Sequence, residues 1–259
     1  MTQLFVYAFL LIAVMAANRS RLLTTSGMIA AFFTGLFVNL GFGLKGLFLL
    51  VLFFISSSLW SKIKNTNKQQ AEEMLVKGST RDWQQVLANG GVAAFTSALY
   101  YITADPIWII GFCILIACSN SDTWASEIGS MSKRRPYNIR TFKKAERGTS
   151  GAVSPLGTFA SIVGSFIIAL TGYILFELNL SEMIFITIFG FLGNVIDTLL
   201  GAYVQAGYLC ANCGLKTEKT FHCGHQTRLI KGYSFINNDF VNFFAGFLSL
   251  LIGLWIIKM

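Results

Sequence analysis

Apolar residues run through this chain in long blocks, not at the spacing of half-buried strands. The blocks cover Leu4–Ala17, Gly27–Leu40, Leu44–Trp60, Val86–Ile102, Ile107–Ser119 with a polar extension, Ala152–Phe176, Met183–Val204 and Val241–Ile257. A bilayer's hydrocarbon core takes about 20 apolar residues per helix, so the pattern predicts an all-α transmembrane bundle of about eight spans. Leu4–Ala17 is short, but no basic residue precedes it and no cleavage site follows it, so it reads as a first span and not as a secretory signal. Only Gly41, Phe42 and Gly43 separate the second and third blocks, which leaves two spans or a re-entrant pair open.

The polar positions between blocks are lopsided in charge. If the spans alternate, the connections after the first, third, fifth and seventh carry every Lys and Arg except Lys45 and Lys258. By the positive-inside rule this face is cytoplasmic, both termini lie outside, and the protein is a multi-pass protein of the cell membrane. Composition agrees: 54% of residues are hydrophobic and 12% charged, with mean hydropathy +0.61, against about 25% charge in soluble domains. Residues 1–259 read as one integral membrane domain with a Cys/His-rich cytoplasmic loop at 206–236. The net charge of +8 is read as topology, and no nucleic-acid partner is expected. The sequence says nothing of oligomeric state.

Two carboxylates, Asp122 and Glu127, stand among small residues where the fifth block ends, in ACSNSDTWASEIG (117–129). An acid at the centre of a membrane helix costs about 2.5–3.5 kcal/mol, so such residues usually have a use. Asp197-Thr198, three residues after Asn194, echoes Asp122-Thr123 after Asn120. On a helix Asp122 and Glu127 lie about 140° apart, so both reach one ion only if the helix breaks or Glu127 reaches round. Magnesium takes one or two carboxylates and completes its shell with phosphate oxygens and water, which suits Asp122 and Asp197 with Glu127 assisting. Pairing with Lys or Arg, or a proton or cation path, is the plainer alternative.

The loop that follows carries seven basic residues, Lys144 and Arg147 among them, and runs into Gly148-Thr149-Ser150-Gly151. Glycine turns entering a helix present N–H groups to an anion. Anchoring to acidic lipids would use the same charges. Asn89, in QVLANGG (85–91), stands at the start of the fourth span, where close packing of small residues is the alternative. Asn238, Asp239 and Asn242 open the last span. The asparagines are candidates to contact a nucleotide or metal-bound water, and Asp239 is equally placed to cap the helix. Cys210, Cys213, His222, Cys223 and His225 fit a structural zinc site made by three thiols and one of the two histidines, because adjacent His222 and Cys223 are poorly placed to share an ion. A disulfide or free thiols are the alternative.

Together QVLANGG, SDTWASEIG (121–129), RGTSGAVSPLG (147–157), DTLLGAYVQ (197–205), the CANC and HCGH loop and NNDFVN (237–242) resemble, in order and over most of the chain, the "domain of unknown function 92" family of polytopic membrane proteins. The resemblance implies a phytyl phosphate kinase-like activity: phosphoryl transfer from a nucleoside triphosphate, by preference CTP, to a prenyl monophosphate. It also implies distant kinship with dolichol and phytol kinases and CDP-lipid synthases, which use CTP and magnesium. On that reading Asp122, Glu127 and Asp197 are catalytic; Lys144, Arg147, Gly148, Thr149 and Gly151 contact phosphate; and Asn89, Asn238, Asp239 and Asn242 orient the nucleotide. A cytidylyltransferase acting on a lipid phosphate, or an ion-coupled transporter or flippase, would use the same residues.

Overall fold

The computed structural model describes residues 2–259. Among them the helices are α1 (Thr2–Arg19), α2 (Thr25–Lys62), α3 (Thr66–Met74), α4 (Trp83–Thr103), α5 (Ile107–Ser130), α6 (Pro155–Phe176), α7 (Leu180–Tyr203) and α8 (Asn238–Ile257). Each of the apolar blocks is helical, apart from Ala152-Val153 and Ser154 at the start of the sixth and Val204 at the end of the seventh. Counting α2 once, five described helices (α2, α5, α6, α7 and α8) are long and apolar enough to cross a membrane.

The 38 residues of α2 are not one rod. Gly43, at φ 55° and ψ −146°, interrupts it with a backbone conformation that glycine alone adopts without strain. The chain folds back there. A Cβ on Gly46 would lie 2.9 Å from Val38 Cγ1, although the two are about 12 Å apart along a straight helix. Residues 25–42 lie along α4, with Gly27 against Arg81 and Gly41 against Ser97. Residues 44–62 lie along α5, where Ser57 meets Asn120 and Ser61 meets Glu127. The halves therefore run antiparallel, each about 27 Å long, close to the roughly 30 Å of a hydrocarbon core. Phe42 closes this end of the bundle against Tyr100, Phe112 and Phe176.

At the centre stands α5, buried from Ile110 to Ser121 and touching α2, α4, α6, α7 and α8. Small residues let its neighbours close in. Any Cβ on Gly190 or Gly193 of α7 would strike Ala117 or Cys118 at 2.5 Å or less. Polar side chains then tie the helices at this short range. Asn120 donates to Gly164 O of α6 and accepts from Ser56 and Ser57 of α2, and Ser121 donates to Ser161 O. The Asn120 that echoes Asn194 in sequence is thus a packing residue.

The fold is not purely helical. Short strands β1 (Tyr137–Asn138), β2 (Ala152–Val153), β3 (Gly207–Leu209), β4 (Lys216–Thr217), β5 (Phe221–His222), β6 (His225–Gln226) and β7 (Arg228–Lys231) occupy two polar connections. β1 pairs with β2, the sheet order β4-β3-β7 organises the Cys/His loop, and β5 pairs with β6. Block edges also move. Polar residues cap and extend the helices, so α4 begins at Trp83 behind an Asp82–Gln85 capping box, α6 at Pro155 behind Ser154, and α8 at Asn238 behind Asn237.

Candidate functional site

The connections after α1, α2, α5 and α7 meet at one end of the bundle. Thr24 N donates to Arg81 O, Lys68 reaches Glu127, Ser150 reaches Gly201, and Lys77 reaches Asp239. They enclose a cavity of about 770 Å³. Asn89, Asp122, Glu127, Arg147, Gly148, Thr149, Gly151, Asp197, Asn238, Asp239 and Asn242 all line it. Lys144 does not. Its backbone pairs with Tyr137 and its side chain is exposed, so it is not positioned to hold a phosphate in the cavity.

The acids divide by partner. α5 is unbroken through Ser130, so Glu127 does not swing round to Asp122. Its carboxylate accepts from Ser61 Oγ at 2.5 Å and meets Lys68 Nζ at 2.5 Å. Lys68 also donates to the carbonyls of Trp60 and Ser61 at the end of α2. Asp239 does not cap α8; Asn237 does, accepting from Phe240 N. Asp239 instead meets Lys77 at 2.5 Å, and Lys77 holds Asp82 at 2.7 Å. Asp122 and Asp197 are different. No described cation pairs with either, and Asp197 Oδ2 and Asn242 Oδ1 are buried without any hydrogen-bond partner. A buried carboxylate oxygen without a partner costs several kcal/mol unless something meets it.

Opposite signs face these oxygens across the same space. Arg81 lines the cavity with its Nη1 buried and unpartnered, its guanidinium lying over the Phe53 and Phe54 rings. Burial pulls its pKa down to about 10, with Glu127 opposing, so it stays charged. Sequence reasoning missed it, and missed Lys68 and Lys77, because all three sit in a connector of mixed charge. Its only signal was an arginine immediately before a capping Asp.

The glycine loop is held from both sides. Gly148 and Gly151 take positive φ, 82° and 79°, and a Cβ on Gly151 would sit 2.4 Å from Ala202. Gly201 likewise admits the loop, since a Cβ there would lie 2.9 Å from Ser150 Oγ and 3.3 Å from Gly151 N. Ser150 Oγ lies 2.8 Å from Gly201 O and 2.9 Å from Gln205 Oε1, with one proton to share between these two acceptors. The Arg147 guanidinium donates to Ser132 O and Lys133 O, bracing its own loop. Asn89 Nδ2 donates back to Gln85 O, and the Asn89 backbone carbonyl accepts from Ser119 Oγ. Beyond Gln205, Glu218 accepts from Gln205 Nε2 at 2.7 Å. Burial raises Glu218 to about 7 against the pull of Lys231 and Gln205, and burial lowers Lys231 to about 8.

The thiols gather away from the acids. Ligand atoms of Cys210, Cys213, His222 and Cys223 lie within 4.8 Å of one another, the one such His/Cys/Asp/Glu group of three or more among the described residues. His225 stays outside it. The turn at Cys223 and Gly224, with φ 51° and 78°, folds Cys223 back onto its neighbour, so His222 Nδ1 lies 3.2 Å from Cys223 Sγ and 3.5 Å from Cys213 Sγ. Adjacency does not keep His222 and Cys223 apart, contrary to the expectation from sequence.

Residues 8–250 match the family described as "Integral membrane protein DUF92". This chain belongs to that family. This DUF92 protein is similar to an uncharacterized membrane protein of Methanocaldococcus jannaschii, 35% identical over 201 residues that cover 76% of this chain and 82% of that protein. Protein PGR of Arabidopsis thaliana is 29% identical over 251 residues, 85% of this chain and 84% of the relative. Protein VTE6, chloroplastic, of the same plant is 28% identical over 226 residues, 85% of this chain but 61% of VTE6. No solved structure matches the DUF92 chain.

Proposed function

We propose that the cavity transfers the γ-phosphoryl group of a nucleoside triphosphate to a prenyl monophosphate of the phytyl or geranylgeranyl type, giving the prenyl diphosphate. One observation carries the reading. Asp122 and Asp197, on adjacent helices, face one cavity with no described Lys or Arg paired to either, and a buried Asp197 oxygen has no partner. Two hard carboxylate oxygens with the Asn242 carbonyl beside them fit magnesium, which takes the rest of its shell from phosphate and water. Asp122 and Asp197 would hold it, and it would neutralise phosphate charge there.

The cavity volume lies in the range of small-molecule pockets, about 300–1,000 Å³. Arg81 and the backbone of Gly148–Gly151 supply positive potential for phosphates, since little covalent chemistry falls to the protein in phosphoryl transfer. An oxygen of the acceptor phosphate attacks the γ-phosphorus, and the bond from that phosphorus to its bridging oxygen breaks. The nucleoside diphosphate leaves with that electron pair. The acceptor is already an anion, so no strong base is needed. The lipid-facing helices would seat the prenyl tail. We infer eight crossings with both termini outside, which puts the basic cavity end on the cytoplasmic face of the cell membrane, open to CTP and other nucleotides.

The test is product analysis by mass spectrometry. Purified protein in detergent receives magnesium, mixed nucleoside triphosphates and a panel of prenyl monophosphates. A prenyl diphosphate absent with Asp122→Asn is the expected result. Pyrophosphate with a nucleotide-linked lipid would replace the kinase by a cytidylyltransferase, and no product across the panel would turn the carboxylates into an ion path.

A further inference from the structure

We propose that Cys210, Cys213, His222 and Cys223 bind one structural zinc ion, and that this ion fixes the wall of the cavity formed by Glu218–Phe221. Tetrahedral zinc with Zn–S near 2.3 Å places its sulfur ligands about 3.8 Å apart. The four ligand atoms, all within 4.8 Å of one another, are gathered at that scale. The backbone is already turned around the position. Gly214 N donates to Cys210 O and Cys210 N to Leu215 O, while Gly214 adopts φ 71°. None of the five cysteines is in a disulfide. Four protein ligands close a tetrahedron and leave no place for substrate, so the ion is structural.

Its consequence lies in the segment between the ligands. Cys213 and His222 bracket β4 and the four residues that follow, and Glu218, Lys219, Thr220 and Phe221 line the cavity. From there the contacts spread. Glu218 N and Thr217 Oγ1 both donate to Met74 O at the end of α3, and Glu218 connects through Gln205 to Ser150 in the glycine loop. The strands themselves are two to four residues long, too short to hold this geometry unaided. A metal pinning both ends of the segment supplies what they lack. The effect on turnover rests on the phosphotransfer reading, whereas the metal and the wall do not.

The experiment uses full-length protein purified in detergent through a tag that binds no metal. Elemental analysis should give about one zinc per chain, lost in Cys210→Ser and kept in His225→Ala, because His225 stands outside the cluster. Hydrogen exchange of residues 216–221 and of the 147–151 loop is then compared in wild type as purified, after zinc removal by chelator under reducing conditions, and after zinc is restored. Exchange should rise at least about tenfold on removal, as expected for local opening, and fall back on restoration. The wild-type cycle decides the matter even if Cys210→Ser does not fold. Protein that is metal-free as purified, or that holds a Cys210–Cys213 disulfide, overturns the site. A zinc-loaded protein whose exchange does not change on removal overturns the coupling to the wall. Neither readout uses nucleotide or lipid, so failure of the kinase reading leaves them standing.

Discussion

The two sides of the cavity treat the same chemical group in opposite ways. On the side of the α2–α4 connector, Glu127 and Asp239 are each held by a lysine from that connector, Lys68 and Lys77. On the α5–α7 side, Asp122 and Asp197 line the same space with no described Lys or Arg paired to either, and Asp197 Oδ2 has no partner of any kind. A buried ion pair fastens a loop to a helix, and breaking it leaves an uncompensated charge. Carboxylates left without a basic partner fasten nothing, and on the reading proposed above their cost is recovered when a metal-bound phosphate arrives. Acid content alone does not separate structure from chemistry here; the partner does.

The sharpest way to test the contrast is to neutralise one acid at a time. Asp122→Asn and Asp197→Asn are expected to cut phosphoryl transfer by about 10³-fold or more, the scale of losing a preorganised electrostatic contact, while the thermal midpoint stays level or rises. Wild-type turnover in either variant would remove that residue from the site. Glu127→Gln should do the reverse, lowering stability by about 1–3 kcal/mol as Lys68 loses its counter-charge. Lys68→Met added to it should restore much of the loss in thermal unfolding.

A pH series refines the picture between these extremes. Glu218 is raised by burial from 4.5 to about 7, so folding favours its protonated form. Below pH 4.5 both states are protonated and nothing is lost; as pH rises to about 7 the folded state must give up the favoured proton. Stability should therefore fall across that window by on the order of 2 kcal/mol, and Glu218→Gln should flatten the profile. A slope of the opposite sign would contradict the buried carboxyl. Smallest of all is Lys144→Ala, expected to change stability by less than about 0.5 kcal/mol and to leave the Michaelis constant for nucleotide unchanged, since its side chain is exposed and does not line the cavity.

The helices, and the pairing of Asp122 with Asp197, were legible because apolar blocks and intramembrane acids are strong, local signals. What was not legible depends on distant contacts. Lys77 and Asp239 are 162 positions apart, and nothing near either residue marks the other. The break in α2 was visible as Gly-Phe-Gly but not its outcome, because antiparallel arms follow from the φ of Gly43 and from where α4 and α5 stand. The choice of His222 over His225 turned on a two-residue turn whose left-handed Cys223 gave no distinctive signal. The glycines of 148–151 were visible as a motif, yet part of their reason is the backbone of α7 passing close behind Gly151.

The break at Gly43 bears on how such a chain reaches a bilayer at all. At the end opposite the cavity the connections shrink to Gly43 itself, to 104–106 and to 177–179, with the exposed Lys45–Glu177 pair beside them. With the basic end cytoplasmic, as proposed above, almost no polar chain has to be carried through the hydrocarbon, so neighbouring helices can enter together as hairpins with their tips leading. On the orientation proposed above, the length, the charge and the Cys/His cluster of the protein stay on the side where synthesis takes place, and its biogenesis asks the translocation machinery to move the three turns and the two chain ends.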